Sequence, residues 1–249
     1  MIETHRHKDD LSFLWSESGV DLVVDAGKYA YTRDKYRQYI KSLRAHNTLL
    51  FKKKYRSKGV EKEKEYDFMP DYSTPIYKHT KYGFYLEIHK RIKDSDLIAV
   101  RKFYFSPGLW LVVCDQVTHS NDSIQVTSHL HFAPEFNWIP NSNTEINSTY
   151  SLTDGCNNLY TKIATNNRFN TTISDDGEFD PTIDISKFDP NVNGFVSRKY
   201  KNVEPAPFLS VVGYGNMKVA IAISLNNNDT SLSFDDEPSF GVLMALINS

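Results

Sequence analysis

The sequence predicts an all-β protein, a large antiparallel β-sandwich carrying one short helix near residues 33–43. Three observations support this. Apolar runs of strand length follow one another at Tyr82–Ile92, Leu97–Phe105, Leu109–Val117 and Ile124–Phe132. Compact turn signals such as Ser106-Pro107-Gly108 separate them. Helical periodicity is best developed in one stretch only, where Tyr36, Tyr39, Ile40 and Leu43 fall at i, i+3, i+4 and i+7.

Taken in order, Leu11–Trp15 and Val20–Val24 read as a hairpin turned by Glu17-Ser18-Gly19, and Asp25-Ala26-Gly27 breaks its second strand. The helix spans Arg33–Leu43 and is short enough to need tertiary support. Asn47–Phe51 is a strand, and the mixed charges of Lys52–Asp67 read as a solvated hairpin tip. Val126, Ser128, Leu130 and Phe132 alternate with Thr127, His129 and His131, the pattern of a half-buried strand. The Asn-, Asp- and Ser-rich stretch Pro140–Asn202 predicts long loops with weak strands at Tyr150–Leu152 and Leu159–Ala164. Phe208–Tyr214, Lys218–Leu225, Ser231–Phe234 and Val242–Ile247 complete the strands. With no repeat and no linker, residues 1–249 read as a single domain.

Composition narrows the function classes. A 40% hydrophobic, 13% aromatic chain of 249 residues can bury a sizeable core. Its 29 basic and 31 acidic residues leave a net charge of -2, which argues against a nucleic-acid binder acting through a broad phosphate-binding field. No apolar run approaches the ~20 residues of a membrane span. The charged stretch Glu3–Asp10 cannot be the core of a signal peptide, so the chain reads as cytoplasmic or as the downstream part of something larger. Cys114, following Leu111-Val112-Val113, reads as a buried free thiol.

The chemistry-bearing residues concentrate between His5 and Thr48. On a strand, His5 and His7 point to one face and form a two-nitrogen clamp. Asp25 ends a strand just before Gly27, and His46 precedes Asn47 and Thr48, whose side chains could orient a ligand. Zinc favours such N and O donors, with a fourth position left open. Spacing alone also fits an exposed polar tail at His5 and His7 and a satisfied structural histidine at His46. The run His5-x-His7-x-Asp9-Asp10 is similar to that of metallo-β-lactamase-type hydrolases, but Asp10 replaces the last histidine and the βαβ context is missing.

A longer match covers nearly the whole chain. It comprises His5-x-His7-x-Asp9-x-Leu11-Ser12-Phe13, Asp25-x-Gly27-x-Tyr29-x-Tyr31 and Ala45-His46-Asn47-Thr48. Arg101-Lys102, Leu109 to Asp115, His131-Phe132-Ala133-Pro134 and Ser197 to Leu209, including Tyr200, extend it. Together these runs resemble the C-terminal β-sandwich domain of the heparinase II/III family of polysaccharide lyases. The resemblance implies a supersandwich-like fold and a metal, usually zinc, held by His7, Asp25 and His46. It places His5 near substrate and gives Tyr36, then Tyr31, as the tyrosine that reaches the cleft. Arg6 replaces the small glycine common in the motif.

The family's reaction is β-elimination on uronic-acid glycans, so the partner implied is an acidic polysaccharide such as a glycosaminoglycan or alginate. A base removes the C5 proton beside the carboxylate and the bond from C4 to its oxygen breaks, which requires stabilising an enolate-like anion. His5, Tyr36 and Tyr31 are the candidate acid–base groups, and the zinc is expected to be structural. In the family a helical α/α toroid precedes the sandwich and supplies groups that neutralise the carboxylate. Because the chain opens at the motif, the expectation is a metal-binding C-terminal part, incomplete by itself, whose toroid lies elsewhere in a longer chain or in a separate one. Full-length members are often periplasmic or secreted. The alternative function is a non-catalytic glycan-binding or structural sandwich module.

Overall fold

The computed structural model describes residues 7–70, 73–80, 83–119, 123–139, 147–166 and 169–225. The chain is all-β, an antiparallel β-sandwich as the sequence predicts. It opens with the hairpin of β1 (Trp15–Glu17) and β2 (Val20–Val23). The helix α1 (Lys35–Ile40) follows, then a 3-10 turn at Leu43–Ala45. The charged hairpin is β3 (Leu49–Ser57) and β4 (Val60–Tyr66), and β5 (Ile76–Thr80) leads into β6 (Gly83–Arg91), β7 (Ile98–Ser106) and β8 (Trp110–Thr118). Next come β9 (Gln125–His131), β10 (Asn137–Ile139), β11 (Asn147–Thr153), β12 (Asn158–Thr165) and β13 (Asn170–Ser174). The last described strands are β14 (Phe195–Lys199), β15 (Asn202–Pro205), β16 (Phe208–Tyr214) and β17 (Met217–Ser224).

An eight-stranded sheet runs in the order β10-β11-β12-β17-β8-β7-β6-β5, and a five-stranded sheet runs β13-β16-β9-β3-β4. Contacts group the residues into two compact units. One comprises Met1–Leu50, Ser128–Trp138 and Thr171–Ser210, and the other Phe51–Thr127, Ile139–Asn170 and Val211–Ser249.

In the second unit, β17 lies between β12 and β8, so Val219–Ile223 is apolar on both faces and buried throughout. On one face Val112, Cys114, Ala164, Ala220 and Ala222 cluster, with Tyr104 and Trp110 packed against them. Cys114 is a buried free thiol, as expected. The alternate residues carry a buried ion pair. Arg101 and Asp115 stand opposite each other in the β7–β8 register and pair through two hydrogen bonds, Nε–Oδ1 at 2.6 Å and Nη2–Oδ2 at 2.8 Å.

In the first unit, Ala26, Tyr39, Ile40, Ala45, Val192 and Phe195 form the core around α1. Fully burying side chains of this size stabilises by about 1.5–3 kcal/mol for each large one, which is what a helix of 6 residues needs to persist.

Several expectations change. The helix stops at Ile40 because the Ser42 hydroxyl and amide both bond to Tyr39 O, tightening the chain into the 3-10 turn. Strand β9 is buried on both faces, not half-buried, since His129 and His131 find partners inside the protein. The strands expected at Tyr150–Leu152 and Leu159–Ala164 are present but longer, pairing over residues 147–165 as a regular hairpin with Tyr150, Leu152, Leu159 and Ile163 buried. Strand β5, with Ile76 and Tyr77 about half exposed, carries too little burial pattern to be read from sequence. The expected strands Ser231–Phe234 and Val242–Ile247 lie outside the described residues. No helix among the described residues is long and apolar enough to cross a membrane.

Candidate functional site

The site is built where the chain leaves β2. Val24 N donates to His131 O (2.9 Å), Ala26 N to Ala45 O (3.3 Å), and Ser197 N to Ala26 O (2.8 Å). Gly27 then pairs with Ser197 as an isolated parallel bridge at φ +73°, and a Cβ there would sit 2.5 Å from Ser197 O. Only glycine satisfies both conditions. The turn also brings Gly27 N to Asp25 Oδ1 (2.9 Å) and leaves Oδ2 for His46 Nδ1 (2.6 Å). Burial opposes ionisation of Asp25. The His46 hydrogen bond and charge and the Gly27 amide outweigh it, holding the carboxyl below its ordinary value.

His46 follows the 3-10 turn and is 1% exposed. Its Nε2 is buried and has no hydrogen-bond partner. His7 is half-buried, with its ring centroid 5.5 Å from that of His46 at 43°. Burial, then the proximity of His46, lowers its pKa below the ordinary histidine value and favours the neutral, ligating form.

Thus the structure brings His7, Asp25 and His46 into one cluster. Among the described residues, no three His, Cys, Asp or Glu side chains form a ready metal-holding group. Here Asp25 is turned onto His46. The donor types, two imidazoles and a carboxylate, together with the idle His46 Nε2, nevertheless fit zinc. His5 lies outside the described residues.

Asn47 and Thr48 fix the backbone around His46. Asn47 Nδ2 donates to Phe13 O (2.9 Å) and Val24 O (2.7 Å), and its Oδ1 accepts from His131 N (2.7 Å). The Thr48 hydroxyl donates to Asp10 O. Behind them, His131 is fully buried and its Nε2 lies 3.2 Å from the Tyr39 hydroxyl, which also accepts from Phe195 N (3.4 Å). Burial pushes His131 down to about 4 and the Tyr39 phenol well up. Sequence reading missed Tyr39 and His131 as parts of the site. Their signal is faint, since Tyr39 counts as a core position on the helix and His131 as one member of an alternating strand.

The tyrosines belong to a second group, on and before α1. Asp34 caps the helix by accepting from Arg37 N (2.8 Å). The helix is strapped to a loop far along the chain. Lys35 N donates to Ile185 O (2.7 Å) and its buried Nζ to Asp180 O (3.3 Å), while Arg44 donates to Val192 O (3.1 Å) and Pro190 O.

Tyr36 is half-buried, edge-on to Phe195 (5.3 Å) and Tyr29 (6.0 Å). Its phenol is raised by burial and by Asp34 and Asp189. Tyr31 is 56% exposed, with Lys28 Nζ 4.8 Å and the Arg37 guanidinium 5.5 Å from its ring centre. The Lys28 hydrogen bond and charge lower its phenol pKa.

The sequence profile described as Heparinase II/III-like, C-terminal, matches residues 1–201. The heparan sulfate lyase HepC from Pedobacter heparinus shares the fold at a TM-score of 0.62 and 15% identity, over 90% of this chain and 32% of that one. A heparinase III gene product does so at 0.56 and 13%, over 88% of this chain and 30% of that one. At these identities the likeness is one of fold, and the chain spans about a third of the length of those lyases. A search of curated proteins gives no significant match. With a family profile matching four-fifths of its length, the chain belongs to the heparinase II/III-like C-terminal family.

Proposed function

We propose that the chain is the metal-binding C-terminal part of a polysaccharide lyase that cleaves uronic-acid glycans by β-elimination. The observation that supports this most is the Asp25–His46 contact beside His7, with His46 Nε2 idle, in a member of this family. A buried imidazole nitrogen without a partner is costly. In this reading His7, Asp25 and His46 hold zinc, which supplies a fixed charge and a cross-link between three chain segments.

Acid–base chemistry falls to His5, Tyr36 and Tyr31. Tyr31, whose phenol is lowered by Lys28, suits abstraction of the C5 proton, as does His5. Tyr36, whose phenol is raised, keeps its proton and suits donation to the leaving C4 oxygen. The substrate carboxylate is neutralised by groups of a companion helical toroid, in the same or another chain. Losing one such stabilising donor typically costs ~10²–10³ in rate.

The test has two parts. Elemental analysis should find about one zinc per chain, and zinc should raise the melting temperature. Bound zinc at 100 times its Kd adds about 2.7 kcal/mol, and His46→Ala should abolish both effects. Turnover of heparan sulfate, hyaluronan or alginate, followed by the ultraviolet absorbance of the unsaturated product, should be low for the chain alone and rise with a toroid polypeptide. A metal-free protein whose melting temperature ignores zinc sinks the metal assignment. Glycan binding without turnover in every mixture favours the non-catalytic module.

A further inference from the structure

The segment after Gly27 and the turn of the β14–β15 hairpin share one surface. Ser197 Oγ lies within hydrogen-bond reach of the carbonyls of Lys28 (3.3 Å) and Lys199 (3.1 Å), and Lys201 N donates to Tyr29 O (2.9 Å). These bonds fix two backbones side by side. Along them Lys28, Tyr31, Lys199, Tyr200 and Lys201 are all exposed, Tyr200 at 64%. Each ring has cations close by. Lys28 and Arg37 flank Tyr31, and Lys201 Nζ lies 5.7 Å from the Tyr200 ring centre. Neighbouring Arg198 is engaged by Glu135 and lies 3.8 Å from Glu204, so it stands apart from this group.

The hairpin turn is unusual in its residues. With Lys199 opposite Asn202, its two turn residues are Tyr200 and Lys201, and Lys201 is held at φ +57°. Two-residue hairpin turns favour Gly or Asn in the left-handed region, and the β1–β2 and β3–β4 turns place Ser18-Gly19 and Lys58-Gly59 there. The second turn position, glycine in both of those, carries Lys201 here, next to the 64% exposed Tyr200.

We propose that Lys28, Tyr31 and Arg37, with Tyr200 and Lys201, form a binding strip for an acidic glycan chain. Cationic side chains meet its carboxylate or sulfate groups and the Tyr200 ring stacks on a sugar face, while Tyr31 keeps the proton-transfer role given above. The strip starts directly after the Asp25–Gly27 turn, so glycan lying along it is led to the His7–Asp25–His46 cluster. This rests on the lyase reading above and adds a subsite on the chain's own surface.

The experiment is calorimetric titration of the full chain with size-defined heparan sulfate oligosaccharides at increasing salt, with zinc content measured in parallel. The wild-type chain should bind, with affinity falling as salt rises. Lys28→Ala and Tyr200→Ala should each weaken binding about tenfold. Lys201→Gly should keep the turn and the melting temperature while weakening binding, which separates recognition from folding. The triple variant that combines Lys28→Ala, Tyr200→Ala and Lys201→Gly should also show a shallower salt dependence. Unchanged affinity in the triple variant overturns the strip and leaves the lyase reading intact. A wild-type chain that binds no oligosaccharide also overturns it, and zinc content and toroid-dependent turnover then judge the lyase reading separately. Equal competition by duplex DNA marks a general polyanion surface and overturns the glycan assignment.

Discussion

A buried pair and a part-buried pair of opposite chemistry stand in the two units. Arg101 and Asp115 face each other on adjacent strands, 0% and 2% exposed, and join through two parallel hydrogen bonds. Asp25 and His46 meet through one bond, and the far nitrogen of His46 is left without a partner. The first pair meets in the fork geometry that guanidinium and carboxylate share. The second leaves a donor atom aimed at nothing in the protein. Burial of charge alone therefore does not point to a ligand in this molecule, whereas the idle His46 Nε2 supports the zinc reading proposed above.

The comparison breaks most visibly at Arg101. Arg101→Ala leaves Asp115 buried without its partner and should cost about 3–5 kcal/mol in urea denaturation, with zinc content unchanged. Replacing both residues with leucine should restore most of that loss. A cost under about 1 kcal/mol for the single variant would mean that the pair is not a structural anchor of the sheet.

A smaller effect sharpens the histidine side through pH. His131 titrates near 4 when folded and near 6.5 in its ordinary state, so between those values the unfolded chain binds more protons. The contribution is complete above pH 6.5 and is lost as pH falls towards 4, amounting to about 3 kcal/mol. Denaturation midpoints measured across that window should fall with acidity, and His131→Gln should flatten the slope. An equal slope in the variant assigns the pH dependence elsewhere.

The smallest effect is a control. Lys54 and Glu61 lie 3.7 Å apart on the charged hairpin, 70% and 66% exposed. Lys54→Ala should change stability by less than about 1 kcal/mol, because solvent screens such pairs. A larger loss in the same denaturation assay would mean the hairpin is packed and not merely solvated.

Strands β6, β7, β8 and β17 of the eight-stranded sheet were legible because their apolar runs are long and their turns well marked, as at Ser106-Pro107-Gly108. Pattern failed where burial is polar. Ser148, Ser151, Thr161 and Thr165 are buried in β11 and β12, so two strands that look weak and short in sequence are longer and lie in a sheet interior. The Asp25 and His46 positions were readable from motif. The Tyr39–His131 support was not, because it joins residues 92 apart that each satisfy a simpler description. Lys35 and Arg44 look like solvent-facing helix charges, yet both are buried and spent on carbonyls of residues 180–192. Only tertiary structure pairs a cation with a carbonyl so distant.

The straps on α1 also set an order of events. Lys35 reaches residue 180, Arg44 residue 190, and Ser197 the Lys28 carbonyl, spans of 145, 146 and 169 residues. Contacts of such separation close late, after the entropy of a long loop has been overcome. During synthesis the segment that carries Asp25, Tyr36 and His46 therefore emerges well before the β14–β15 hairpin and waits, unclamped, until that hairpin has left the ribosome. The candidate site acquires its shape only once those later residues have been made.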